Sequence, residues 1–245
     1  MKIALQCALL TLLVCGPIIG AVDVLLLGDD YAETQVQGAL EAAGHAVTYA
    51  GLYFEWDGVT PDVSDFDVVV FLDGYEYGHE LQPMAATALQ SFVAQGHGLV
   101  MTEWVAWDIC VFNKVLAVRN LMPVTMPDCN DYDAGETWTV LDPNHPLAAG
   151  VPPTWTDERY WSGVTPKAGS VVVIAGATGN PMLTYSQASG GTVVHVNHDM
   201  YDGPQGTINA NVLQLIVNSA EYGTSAIFTD GFESGDTSAW SGAVP

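Results

Sequence analysis

Eight residues able to do chemistry stand at the ends of short apolar runs. Asp29 and Asp30 close VDVLLLGDD, Asp73 and Tyr75 fall in FDVVVFLDGYE, Glu103 and Trp104 close GLVMTEW, and His198 and Asp199 close TVVHVNHD. A carboxyl beside a buried run loses solvation and gains proton affinity, which suits Glu103 to acid-base work; a cap or a hydrogen-bond anchor is its structural alternative. His198 next to Asp199 fits a general base oriented by a carboxylate, a metal ligand, or a histidine bonded to a backbone carbonyl. Asp29, Asp30 and Asp73 offer hard oxygen ligands for a divalent cation such as Ca2+ or Mg2+, although Asp30 just ahead of a helix also reads as its N-cap. Trp56, Tyr75, Tyr77, Trp104 and Trp107 fall on loops that follow strands, where flat rings could receive a sugar face while acids bond its hydroxyls.

The runs are continuous rather than alternating, so both faces of each strand are covered, as in a mostly parallel sheet flanked by helices. Ligands in such sheets gather beyond the carboxyl ends of the strands. The spacing predicts helices over 32–43, stopped by Gly44, over 80–95, stopped by Gly96, and over 209–222. Further strands are expected at 46–50, 67–72, 98–102, 137–141, 170–175, 182–185 and 192–196, the last two forming a hairpin through Gly190 and Gly191. Between Glu103 and Glu136 the pattern is irregular, with 110–120 helical; an insertion there reads as a lid, a specificity loop or a stable packing arm.

Residues 1–21 carry one positive charge, an apolar stretch and small residues at Gly20 and Ala21, the pattern of a secretory signal cleaved after Ala21. The expectation is a secreted, periplasmic or cell-surface protein whose mature form has no membrane span. Removing the leader takes Cys7 and Cys15 with it, so Cys110 and Cys129, an even pair in one irregular stretch, read as a disulfide. A free nucleophile and half a metal site are the rival readings. With 28 Asp and Glu against five Lys and Arg, the net charge of −23 repels nucleic acid and anionic membranes. Neutral ligands and cations fit that field better, and solubility alone also accounts for it.

Three segments carry a family resemblance: GALEAAGHAVTYAG, LQSFVAQGHGLVMTEW, and VLDPNHPLAAGVPPTW followed by Asp157-Glu158-Arg159-Tyr160. Together with the order of elements, they make the chain over 22–222 similar to the class I glutamine amidotransferase-like superfamily, and within it to the trehalose-utilisation (ThuA-like) branch. The resemblance implies a flavodoxin-like α/β fold, a three-layer sandwich with a mostly parallel sheet and a C-terminal β-hairpin. Amidotransferase members place a nucleophilic cysteine after the fourth strand, where this chain has Glu103; without that thiol, glutamine hydrolysis by a Cys-His pair has no nucleophile. His198-Asp199 falls where those enzymes carry a catalytic histidine. The tail over 224–245 resembles a terminal segment recurring on exported bacterial proteins, and its Asp230, Glu233 and Asp236 read as cation ligands or as a solvated linker.

Three functions are compatible with these residues. The first is binding of a neutral, carbohydrate-like ligand at the strand ends; the second is a hydrolase or isomerase using Glu103 and His198 as an acid-base pair, with or without a divalent cation. The third is a non-catalytic surface scaffold.

Overall fold

The computed structural model describes residues 20–200 and 207–225. The expected leader, apart from its last two residues, and nearly all of the polar tail lie outside them. The chain opens with β1 (Asp23–Gly28), α1 (Glu33–Ala42), β2 (Ala46–Leu52), β3 (Val68–Phe71), α2 (Pro83–Ala94) and β4 (Gly98–Thr102). It continues through α3 (Glu103–Val111), β5 (Val124–Thr125), β6 (Asp131–Val140), β7 (Thr154–Ser162) and β8 (Thr165–Pro166). The last elements are β9 (Val171–Gly176), β10 (Pro181–Ser186), β11 (Val193–Val196) and α4 (Ala210–Ser225).

Nine strands form one mixed sheet in the order β2-β1-β3-β4-β11-β10-β9-β6-β7, and β5 pairs separately with β8. From β2 to β11 every neighbouring pair is parallel; from β11 to β7 every pair is antiparallel. The apolar runs explain the parallel half. Successive residues of a strand point to opposite faces, so Val24, Leu26, Val68, Val70, Val100 and Val194 pack on the side of α1 and α4. Leu25, Leu27, Val69, Phe71, Leu99 and Met101 pack on the side of α2 and α3. The result is the expected three-layer, flavodoxin-like sandwich.

Two expectations from the sequence differ from the structure. The helix expected over 110–120 instead begins at Glu103, directly after β4, and ends at Val111; Leu116–Val118 make a single 3-10 turn. Its sequence, EWVAWDICV, is apolar on almost every side, so the usual one-sided stripe of a surface helix is missing. The second difference is β7: TWTDERYWS mixes threonine, acid and aromatic residues and pairs with β6 along nine positions, a long antiparallel pairing where no strand was expected. Cys110 and Cys129 are disulfide-bonded, Cα atoms 5.3 Å apart, tying the end of α3 to the start of β6. Among the described residues no helix is long and apolar enough to cross a membrane.

Helix α4 closes over β3 and β4 through a backbone approach that only glycine allows. A Cβ built on Gly98 would stand 2.8 Å from Gly223 Cα and 2.9 Å from Val68 Cγ2. Gly38, exposed in the middle of α1, has nothing within 4 Å of the same atom. Substitution should therefore act in opposite directions at the two sites. Gly98→Ala is expected to destabilise by about 1–3 kcal/mol through overpacking, and Gly38→Ala to stabilise by about 0.5–1 kcal/mol through helix propensity. Urea midpoints at constant m-value measure both.

Candidate functional site at the strand ends

The parallel strands end in a common region, and carboxyls from three of them meet there. Asp29, after β1, is fully buried and its Oδ2 accepts the Tyr75 N–H (3.0 Å). Asp73, after β3, is buried beside Thr102, whose hydroxyl lies 3.3 Å from the Asp73 backbone nitrogen. Asp108, which the sequence did not single out, comes in from α3, and both of its oxygens accept from Gly78 N–H at 3.0 Å. Burial pushes Asp29 up to about 7, with the charge of Glu33 adding to it. Burial likewise pushes Asp108 up to about 6. Asp73 rises well above the ordinary carboxylate range, first through burial and then through Asp108, Asp29 and Glu103. Asp108 disfavours the ionisation of Asp73, so burial and repulsion act together on Asp73.

Glu103 is the first residue of α3, 1 % exposed, and receives a hydrogen bond from the Ser162 hydroxyl of β7. Its backbone is ordinary. Among described non-glycine residues positive φ occurs only at Asp30, Asn113, Val115 and Cys129, so Glu103 does not occupy the strained strand-to-helix turn that exposes a nucleophile. Asn197 fastens the region: its Oδ1 accepts Ser162 N–H (3.0 Å), and its Nδ2 donates to the carbonyls of Ser162 (2.7 Å) and Pro181 (3.0 Å).

His198, also 1 % exposed, bonds through Nε2 to Asp157 Oδ2 of β7 (3.0 Å), and Asn209 Nδ2 donates to the same oxygen (2.7 Å). The carboxylate at the His198 ring is thus Asp157 rather than the adjacent Asp199. Asp199 accepts from Trp104 Nε1 (3.0 Å) and donates its backbone N–H to Tyr160 O (2.9 Å). Strand β7 was the missing piece. Its far end arches over the strand tips, bringing Asp157, Tyr160 and Ser162 to His198, Asp199 and Glu103.

Thr102 pairs with Val196, Glu103 lying one residue beyond the first and His198 two beyond the second, but their side chains engage different partners. Asp30 does not cap α1: it is exposed at φ 70°, the N-cap is Ala32 without a side-chain bond, and Glu33 Oε2 takes the Tyr31 N–H (2.8 Å). Among the described residues no group of three or more His, Cys, Asp or Glu is arranged to hold a metal ion.

What faces solvent at this end is aromatic. Tyr75 is 56 % exposed and stacks on Tyr31 with ring centroids 5.7 Å apart. Tyr77, 47 % exposed, stacks on Trp104 (5.6 Å) and Phe112 (5.5 Å), and Trp107 meets Trp104 edge-on at 4.5 Å. Trp104, Trp107 and Phe112 fall at i, i+3 and i+8, one face of α3 and its C-cap, the face that also carries Asp108. Trp56 is different: it is buried in the core, its Nε1 on Pro61 O (3.0 Å).

Comparison with protein-family models and with curated proteins finds no match. Solved structures do match. A protein described as ThuA-like from Parabacteroides merdae superposes with a TM-score of 0.64 at 14 % identity, covering 84 % of this chain and 91 % of its own. A cytoplasmic protein of Salmonella typhimurium gives 0.62 at 16 % identity over 82 % and 98 %. A Thermoplasma acidophilum protein described as part of a GMP synthase gives 0.55 at 10 % over 84 % and 96 %. The likeness is one of fold. It shows a flavodoxin-like arrangement, and at these identities it carries neither family nor activity.

The buried carboxyls make stability depend on pH. The folded chain holds the Asp29 proton up to about pH 7, whereas an unfolded carboxylate releases it near 3.8. Between those values the folded state binds more protons, so stability falls as pH rises through the window. Asp29→Asn keeps the acceptor for Tyr75 and cannot ionise. Relative to the parent, the variant should gain about 1–3 kcal/mol in going from pH 5 to pH 8, read from urea unfolding at both pH values; a constant difference would contradict the assignment.

Proposed function

We propose that this chain is an exported ThuA-like domain that binds a neutral, polyhydroxylated, carbohydrate-like ligand on the aromatic ledge over the strand ends, without glutamine amidotransferase chemistry. The observation that carries the reading is the ledge itself: Tyr31 with Tyr75, and Tyr77 with Trp104, Trp107 and Phe112, partly or largely exposed above buried carboxyls. Stacked rings in water offer a flat apolar surface with hydrogen-bonding edges, which matches the C–H face and hydroxyl rim of a sugar. The overall charge of −23 disfavours an anionic ligand there. Glu103 stands in place of a thiol, which leaves the amidotransferase reaction without its nucleophile. Export rests on the leader over 1–21; the cytoplasmic location given for the Salmonella protein belongs to that protein.

A second reading, acid-base catalysis by Glu103 and His198, is favoured by one arrangement. Asp157, itself held by Asn209, orients the His198 ring, and Nδ1 has no partner among the described residues. Both groups are sealed beneath β7, so this chemistry requires the hairpin to open. Turnover of neutral aryl glycosides by the parent, lost in both Glu103→Gln and His198→Gln, would establish it.

The binding reading is tested by thermal unfolding with glucose, trehalose and myo-inositol. Saturation should raise the parent Tm by about 5 °C. Tyr75→Ala and Tyr77→Ala, which remove exposed rings, should retain the fold and lose the shift. No shift in the parent, or a shift that survives both substitutions, would refute a ligand on the ledge and favour a scaffold.

A further inference from the structure

Helix α3 has a second face. Ala106, Ile109 and Cys110, spaced at i, i+3 and i+4 on the side away from Trp104, Trp107 and Asp108, line a cavity of about 390 Å³. Met122, Val124 and Met126 complete an apolar wall, while Arg119 and Lys167 supply its charge and Asn113 and Asn120 its amides. The β5–β8 ribbon sets Lys167 in place: Val124 pairs with Pro166, and Lys167 N–H donates to Pro123 O (2.9 Å). The cavity is independent of the strand-end residues proposed to bind sugar, sharing only the helix.

We infer that this cavity is a binding site for a small organic anion with an apolar body, its carboxylate or phosphate seated between Arg119 and Lys167. The chain has 28 carboxylates and five Lys and Arg, so a cation should find an acidic partner with ease. Among the described residues these two have none within ion-pair distance; the ion pairs are His45 with Glu221, His79 with Glu76, and His198 with Asp157. Instead Lys167 Nζ donates to the Arg119 backbone carbonyl (2.8 Å), and both residues line the same cavity. Burial, and after it the Arg119 charge, holds the Lys167 ammonium below its ordinary range. Two like charges beside a cavity in so acidic a molecule are at higher energy than either would be alone, and an incoming anion removes that penalty. Lys167 keeps two donors and Arg119 its guanidinium fork for such a group. The volume lies in the range of small-molecule sites, and the isoleucine, methionine and valine side chains suit a ring or short chain. The Cys110–Cys129 disulfide fastens one wall, and Cys110 Sγ lies 3.4 Å from Met126 O.

Calorimetric titration with benzoate and phenyl phosphate, against benzyl alcohol as the uncharged analogue, tests the site. At least one anion should bind about tenfold or more tightly than the alcohol, and the better of the two assigns the head group. High salt should weaken the interaction. Lys167→Met and Arg119→Gln should each reduce affinity about tenfold or more, whereas Lys114→Gln, outside the cavity lining, should not. Arg119 is exposed, so Arg119→Gln remains informative if Lys167→Met fails to fold. Equal binding of alcohol and anion, binding retained in Arg119→Gln, or no binding of either anion by the folded parent would overturn the proposal. Loss of sugar binding at Tyr77→Ala with anion binding intact would show that the two sites are separate.

Discussion

One buried amide holds the site together. Asn197 follows the last parallel strand, and its side chain spends all three of its hydrogen bonds on the backbones of two other segments, Ser162 at the end of β7 and Pro181 at the start of β10. In the sheet, β7 lies four positions away from β11, so nothing in the ladder itself requires their ends to meet. Asn197 makes them meet. Once Ser162 is fixed, its hydroxyl reaches Glu103, and the preceding residues of β7 fall beside His198 and Asp199. A buried network of this kind contributes mainly to specificity of arrangement, because each member left unsatisfied would cost more than the pair gains.

Beneath that roof the strand tips carry more carboxyls than the interior tolerates as anions. Protons resolve the conflict: Asp29 and the Asp73–Asp108 pair retain them toward neutral pH, and backbone N–H groups of Tyr75 and Gly78 offset part of the desolvation. The acidity of the surface and the protonation of the interior thus have different origins. The first follows from composition, the second from burial.

The parallel half of the sheet was legible because its strands are uniform: VLLL, VVVF and VVHV can be covered only on both faces, and their terminal residues must then share one end. The disulfide was legible from two cysteines and a leader. Asp108 was not, because it sits within a helix without amphipathic contrast, between Trp107 and Ile109, and its role depends on where α3 starts. Asp157 and Ser162 were hidden for another reason. They belong to a strand that mixes threonine, aromatic and acidic residues, and their partners lie 41 and 59 positions away in sequence. Local spacing cannot report such contacts. The Arg119–Lys167 juxtaposition is hidden in the same way, since 48 positions separate two residues that only the short ribbon brings together.

Strand β7 forms one margin of the sheet, hydrogen-bonded along its ladder to β6 alone. Part of the surroundings of His198 and Glu103 therefore comes from an edge strand, while the rest comes from the centre of the sheet. Fraying of that border, the cheapest opening available to a sheet, would unmask the two side chains together and leave the aromatic rings where they are. The innermost polar groups and the outer rings thus answer to different motions of the chain.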